Sequence, residues 1–143
     1  MIVHEGVGVP NGGEVWNIPW HGGIVEDVIS TRSIQAAYRS RTGHELSVHE
    51  IANSCPGNAD AVAVFQQFGE TLGEVLASIA LDFHPAIIIF GGAISRSASL
   101  FLPQAATRLG DDVHLKVSTL FESAALYGAA VHWKEAILHD SHR

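Results

Sequence analysis

The stretch Ala86-Ile87-Ile88-Ile89-Phe90-Gly91-Gly92-Ala93-Ile94-Ser95 constrains this chain more than any other. Its first five residues are apolar and three are β-branched, which predicts a short strand covered on both faces. The double glycine predicts a turn directly after that strand. In open α/β sheets such turns receive ligands, because backbone N–H groups are free there and no side chain blocks the approach. From the residues alone two readings of Gly91-Gly92 stand side by side: a tight turn that requires glycine, or a site for an anion or a nucleotide.

A helix delivers the chain to this strand. Val62, Phe65, Gly69, Leu72, Leu76, Ile79 and Phe83 recur at alternating spacings of three and four, one buried stripe of a helix over 58–83 with Asn58 as its N-cap. Gly69 and Gly73 lie one turn apart and predict the close approach of another element. Glu70 and Glu74 share that spacing, but two glutamates on a solvated face are favoured over a paired-carboxylate site. His84-Pro85 ends the helix.

Downstream, a helix is predicted over roughly 99–109 with Pro103 in its first turns. Alternation over Val113–Val117 predicts a second strand, and the two parallel strands form a right-handed crossover through that helix. Glu122 to Leu138 reads as the last helix, whose small residues (Ser123-Ala124-Ala125, Gly128-Ala129-Ala130) predict tight packing on the sheet. Upstream, Met1–His4 reads as a strand and 7–23 as a glycine-rich loop carrying Trp16 and Trp20. Loops of that length inside a domain are usually functional. Ile24 to Gly43 is helical, with a kink or second cap at Ser30-Thr31. Ser47-Val48-His49-Glu50 has the pattern of a capping box, opening a helix that Pro56-Gly57 ends. The expectation is one α/β domain over 1–138 with a flexible tail at 139–143.

Composition removes several function classes. The 143 residues carry a net charge of -7 and only eight Lys and Arg, so nucleic acid is not an expected partner. Arg32, Arg39 and Arg41 read as a solvated helix face. The single cysteine, Cys55, excludes an internal disulfide and a cysteine-based zinc site, and reads as buried and inert. No leader pattern is visible, and Asp82, His84 and Pro85 interrupt the longest apolar runs, so a cytoplasmic protein without a membrane span is expected. The nine histidines are scattered and lack the helical ligand spacing with a flanking carboxylate, which favours surface or capping roles over a metal site.

Glu14 and Glu26 are the remaining candidates for chemistry. Ionised carboxylates accept hydrogen bonds from several hydroxyls at once, and neighbouring aromatic rings stack on sugar faces. A glycine-rich loop with two Trp and two Glu therefore fits a carbohydrate pocket. The competing reading is that each carboxylate simply favours a helix N-terminus.

The segment Leu81 to Ser95, with Leu72-Gly73 before it and Ser123 to Ala130 after it, resembles the C-terminal half of a ROK-family protein. That family comprises bacterial sugar kinases, such as glucokinase and fructokinase, and sugar-responsive repressors. The resemblance covers the chain to about residue 135. It implies part of an actin-like, ribonuclease H-like ATPase fold, with helices packed on a short, incomplete sheet. It implies a nucleotide site at Gly91, Gly92 and Ala93. It implies sugar contacts from Glu14, within a Gly-Glu-x-Gly-His motif in which Asn17 replaces the histidine, and from Glu26, within a Gly-Cys-x-Glu motif that here lacks its cysteine. The family's cysteine-rich zinc loop is absent, so no zinc is expected, and Trp16, Pro19 and Trp20 are expected to stiffen the loop instead. The family's Asp-x-Gly-x-Thr phosphate motif, second phosphate loop and catalytic Asp have no counterpart in this sequence. No catalytic residue is therefore assigned. The expected function is a part of an ATP- and Mg2+-dependent hexose kinase, inactive alone and completed by an N-terminal half or a second copy of the chain. The alternative is a non-catalytic sugar-binding module of the repressor type.

Overall fold

The computed structural model describes residues 4–110, 113–120, 123 and 126–131. Strands β1 (Pro19–Trp20) and β2 (Gly23–Ile24) form an antiparallel hairpin. Its two turn residues, His21 and Gly22, have φ of 46° and 91°, the sign that two-residue hairpin turns use. Helix α1 (Val25–Val28) follows, and then α2 (Thr31–Thr42). Ser30 caps α2 by accepting from the backbone N–H of Ser33, and Gly43 ends it in the left-handed region. Helix α3 (Val48–Asn53) opens with the expected capping box. The Ser47 backbone N–H donates to the Glu50 carboxylate at 2.8 Å, and the Glu50 N–H donates to the Ser47 hydroxyl at 3.3 Å.

Helix α4 (Ala59–Phe83) is the longest element described and keeps the boundaries its sequence predicts. Asn58 Oδ1 accepts from the Asp60 and Ala61 N–H groups, while its Nδ2 donates to Tyr38 Oη at 2.9 Å. One cap thus also fixes α4 against α2. The chain leaves α4 through His84 in a left-handed conformation, followed by Pro85. Strand β3 (Ile87–Phe90), a 3₁₀ helix over Ala93–Leu100, helix α5 (Leu102–Leu109) and strand β4 (His114–Val117) complete the described order. β3 and β4 pair in parallel, with Ile87 opposite His114 and Phe90 opposite Val117.

The core lies between α4 and its neighbours, with Ile34 and Tyr38 of α2, Ile51 of α3, Phe65, Phe68 and Leu72 of α4, and Phe101 and Ala105 from the α5 side. Phe68 and Phe101 meet edge to face at 5.2 Å between ring centroids. The buried face of α4 is wider than the predicted stripe, because α2 packs on one flank and α5 on the other. It includes Ala61, Val64 and Val75, whereas Phe83 at the C-terminal end is exposed. Gly69 and Gly73 are both buried where α4 meets α5. A Cβ at Gly69 would fall on the carbonyl oxygen of Phe101, and one at Gly73 would lie 2.8 Å from that of Ala105.

The sheet differs from expectation. Phe90 and Leu115 face the core, but Ile87 and Ile89 on the opposite face are 46% and 67% exposed. Within the described residues the strand is covered on one face only, because all the packed helices lie on one side. The last helix is described over 126–131, where Leu126, Tyr127 and Val131 are exposed and a Cβ at Gly128 would meet nothing within 4 Å. Its small residues meet no close partner there, contrary to the predicted packing on the sheet. The rest of that helix, apart from Ser123, lies outside the described residues, as do Met1–Val3 of the predicted first strand and the tail at 139–143.

Two measurements check this account. Alanine is intrinsically favoured over glycine inside a helix by about 1 kcal/mol, whereas overpacking costs about 1–3 kcal/mol where neighbours cannot move. The neighbour at Gly69 is backbone, so Gly69→Ala is expected to lower urea stability by roughly 1–3 kcal/mol, with Gly57→Ala within about 0.5 kcal/mol of wild type. The second concerns Glu50, whose carboxyl the Ser47 hydroxyl and then the Ser47 N–H hold below its ordinary value of 4.5. A carboxylate with a depressed folded pKa adds stability above its unfolded pKa and loses it as pH falls through the lower folded value. Glu50→Gln is therefore expected to lower the urea midpoint slightly at neutral pH and to leave it nearly unchanged at low pH, which flattens the acid limb of the midpoint against pH.

Candidate functional site

The loop that carries Glu14 and leads to Glu26 in α1 is held by a short set of backbone bonds. The Val25 N–H donates to the Ile18 carbonyl at 2.9 Å and extends the closure of the hairpin. The Asp27 carboxylate accepts from the Ile24 N–H at 2.9 Å, in the space that a side chain at Gly23 would take. Trp20 and His21 meet edge to face at 4.9 Å on the turn.

Trp16 joins the two predicted carboxylates. Its indole Nε1–H donates to Glu14 Oε2 at 2.6 Å, and its carbonyl accepts the Glu26 backbone N–H at 3.0 Å. The ring is 49% exposed beside them. The Glu26 carboxylate pairs with Arg32 of α2 at 3.2 Å in a partly solvated position. Asn17 is placed differently. It lines a cleft of about 440 Å³ between the N-terminal loop and the end of α4, along with Pro10, Ser78 and Asp82, and neither Glu14 nor Glu26 is in that lining. Thus Glu14 and Glu26 are linked through one tryptophan, while Asn17 lines the α4 side of the loop.

The turn after β3 is open. Gly92 has φ of 77°, and a Cβ at Gly91 or Gly92 would meet nothing within 4 Å. Ala93 begins the 3₁₀ helix, so the turn sits at a helix start. From below, the buried Ser95 hydroxyl donates to the Gly92 carbonyl at 2.6 Å, and the Ser118 N–H donates to the Phe90 carbonyl at 2.7 Å. Ser95 was not singled out from sequence. Its only signal is a serine three residues past a glycine, a common turn pattern.

Among the described residues no three His, Cys, Asp or Glu side chains gather as a metal ligand set. The carboxylates at the loop are already engaged, Glu14 by Trp16, Asp27 by Ile24 and Glu26 by Arg32. Cys55 lies just past α3 with Sγ 3.8 Å from the Ile51 carbonyl, and burial pushes its thiol pKa up. The family's cysteine-rich loop has no counterpart here, since the one cysteine, Cys55, lies past α3 and away from the loop in sequence. Glu74 of the Glu70–Glu74 pair instead meets Arg108 at 3.6 Å on an exposed surface. No helix among the described residues is long and apolar enough to cross a membrane.

Residues 18–136 match the model of the ROK family. The chain is 26% identical over 117 residues to an N-acetyl-D-glucosamine kinase of Yersinia enterocolitica, covering 77% of this chain and 39% of that protein. It superposes on a putative sugar kinase from Cytophaga hutchinsonii with a TM-score of 0.78 and 25% identity, covering 87% of this chain and 50% of that one. A ROK family glucokinase from Streptomyces griseus, solved with glucose and AMPPNP, matches with a TM-score of 0.70 at 17% identity, covering 84% of this chain and 54% of that one. The chain therefore spans about half the length of these proteins or less. Its α/β architecture is part of the actin-like, ribonuclease H-like ATPase fold of these sugar kinases. With a family match that runs from the hairpin to beyond the last described helix, the chain belongs to the ROK family.

Proposed function

We propose that this chain supplies the sugar-contact loop and the nucleotide-facing turn of an ATP-dependent hexose kinase. The observation that carries this reading is the joining of Glu14 and Glu26 through Trp16, beside a half-exposed indole. Two acceptors and one ring suit a ligand with several hydroxyls on one face and C–H groups on the other. Gly91, Gly92 and Ala93 would border the nucleotide, with the open turn accepting a phosphate or ribose without steric cost. Asn17 would contact the sugar only by turning from the cleft at the end of α4. ATP with Mg2+ is the donor this reading requires. The kinase names of the relatives support it.

Phosphoryl transfer needs a positioned base, phosphate clamps and a metal together. No residue of this chain is assigned to the base. The catalytic unit in this proposal includes a complementary segment that covers Ile87 and Ile89 and brings the base to the sugar. Burial of these two side chains would contribute about 1.5–3 kcal/mol each if they began fully exposed, and less from their half-exposed state.

Calorimetric titration of the 143-residue chain with glucose and N-acetylglucosamine tests the sugar half of the proposal. Hydrogen bonds to a charged group contribute about 1.5–3 kcal/mol, so Glu14→Gln and Glu26→Gln are each expected to weaken binding by roughly ten- to a hundredfold. No hexose binding by wild type would sink the reading. ATP- and Mg2+-dependent phosphorylation by this chain alone would overturn the need for a complementary segment. Sugar binding that an added N-terminal half of a related kinase never converts to turnover would place the chain in the regulatory branch.

A further inference from the structure

We infer that Trp16 is the positioning residue of the carboxylate loop, setting Glu14 and Glu26 without a metal. The inference rests on the sugar-contact reading of those two glutamates and adds what holds them. Twelve positions separate Glu14 from Glu26, and both side chains are solvent-accessible. Left to themselves, such side chains sample many rotamers, and ordering each on a ligand would cost about 1–2 kcal/mol of side-chain entropy. Trp16 limits that freedom at Glu14 through its indole and anchors the backbone at Glu26 through its carbonyl. Its indole N–H is a single donor with no acceptor capacity, so bonding to Glu14 Oε2 leaves the other carboxylate oxygen for a ligand hydroxyl. Its carbonyl takes the Glu26 N–H and fixes the start of α1, and Arg32 then orients the Glu26 carboxylate.

The β1–β2 hairpin closes the segment between Trp16 and Glu26. The bonds from Val25 to Ile18 and from Glu26 to Trp16 continue the closure outward from the hairpin. A metal bound by loop side chains would achieve the same closure through coordination bonds. Here Glu14, Glu26 and Asp27 are engaged in hydrogen bonds and an ion pair, and the closure is made by main chain and indole.

The test uses the full chain. In Trp16→Phe the ring remains and the N–H is lost. Hexose affinity is expected to fall about tenfold, the worth of one hydrogen bond to a charged group. A tryptophan acting only by packing or stacking would lose little in Trp16→Phe and most in Trp16→Ala, and that pattern overturns the inference. In the Glu14→Gln background Trp16→Phe is expected to cost less than about threefold further, because the bond it removes is already weakened. Full additivity of the two losses also overturns it. A sugar-free readout separates this inference from the proposed function. The Trp16 indole N–H resonance, assigned through Trp16→Phe, is expected to move on Glu14→Ala and to stay unchanged with zinc or EDTA. If wild type binds no hexose but the resonance moves with Glu14 and ignores metal, the latch stands and the sugar reading falls. An indole resonance insensitive to Glu14, or a zinc-dependent shift, overturns the latch whatever the sugar result.

Discussion

The contact between α4 and α5 sets the positions of nearly everything else. At Gly69 the two elements meet backbone to backbone, with no side chain between the helix and the Phe101 carbonyl. Such an approach is available only to glycine. It drives the Phe101 ring fully into the core against Phe68, and it fixes the start of α5 along α4. Helix α5 and the 3₁₀ helix before it form the link between β3 and β4, so their placement also sets where the Gly91-Gly92 turn emerges. On its other flank α4 is bonded to α2 through Asn58 and Tyr38. The first turn of α2 carries Arg32, which holds Glu26. The loop that carries Glu14 and the Gly91-Gly92 turn are thus both positioned by way of α4.

Which features could be read from the sequence follows from how local their causes are. The limits of α4 were legible because Asn58, an apolar stripe and His84-Pro85 act within a few residues of the ends. The capping box at Ser47–Glu50 and the break at Ser30 were legible for the same reason. The close approach at Gly69 and Gly73 was legible because two glycines inside a helix lower its stability unless something needs their space. The β1–β2 hairpin was not, since strands of two residues carry no periodicity. Nor was the exposure of Ile87 and Ile89, because a run of isoleucines reads the same whether its cover comes from nearby helices or from elsewhere. For the site, Glu14 and Glu26 stood out by motif, but their link through Trp16 depends on a fold that brings residue 26 back to residue 16. The placement of Asn17 beside Ser78 and Asp82 joins segments about sixty residues apart, and no local pattern encodes it.

A loop such as this can be closed by more than one kind of constraint. Closing a flexible loop costs entropy that rises slowly with its length, so the type of closure matters more than the number of residues enclosed. A metal closes a loop by gathering side chains and demands that their pKa values and geometry suit it. A hairpin closes it with main-chain bonds, for which it needs little more than a turn that tolerates positive φ. His21-Gly22 supplies that turn. Once the hairpin exists, Trp16 and Glu26 face each other as the next step of the same closure, and the indole is free to hold Glu14.

The outer face of the small sheet carries a similar physical message. On β4 the residues there are His114 and Lys116, while on β3 they are Ile87 and Ile89. In one pleated face, polar residues belong where water reaches and isoleucines where it does not. The face therefore changes character across a single strand pair, from solvated at β4 to apolar at β3. A layer that covered both strands evenly would bury the charge of Lys116 and would have to supply it a partner, since an unpaired buried charge costs more than the apolar contact returns. A cover that lay over β3 and stopped before β4 would avoid that cost. The Gly91-Gly92 turn is the direct continuation of β3, so a segment seated there would also reach the edge of that turn. Under the proposed function, such a segment would complete the sheet and border the turn at once, through the same isoleucines.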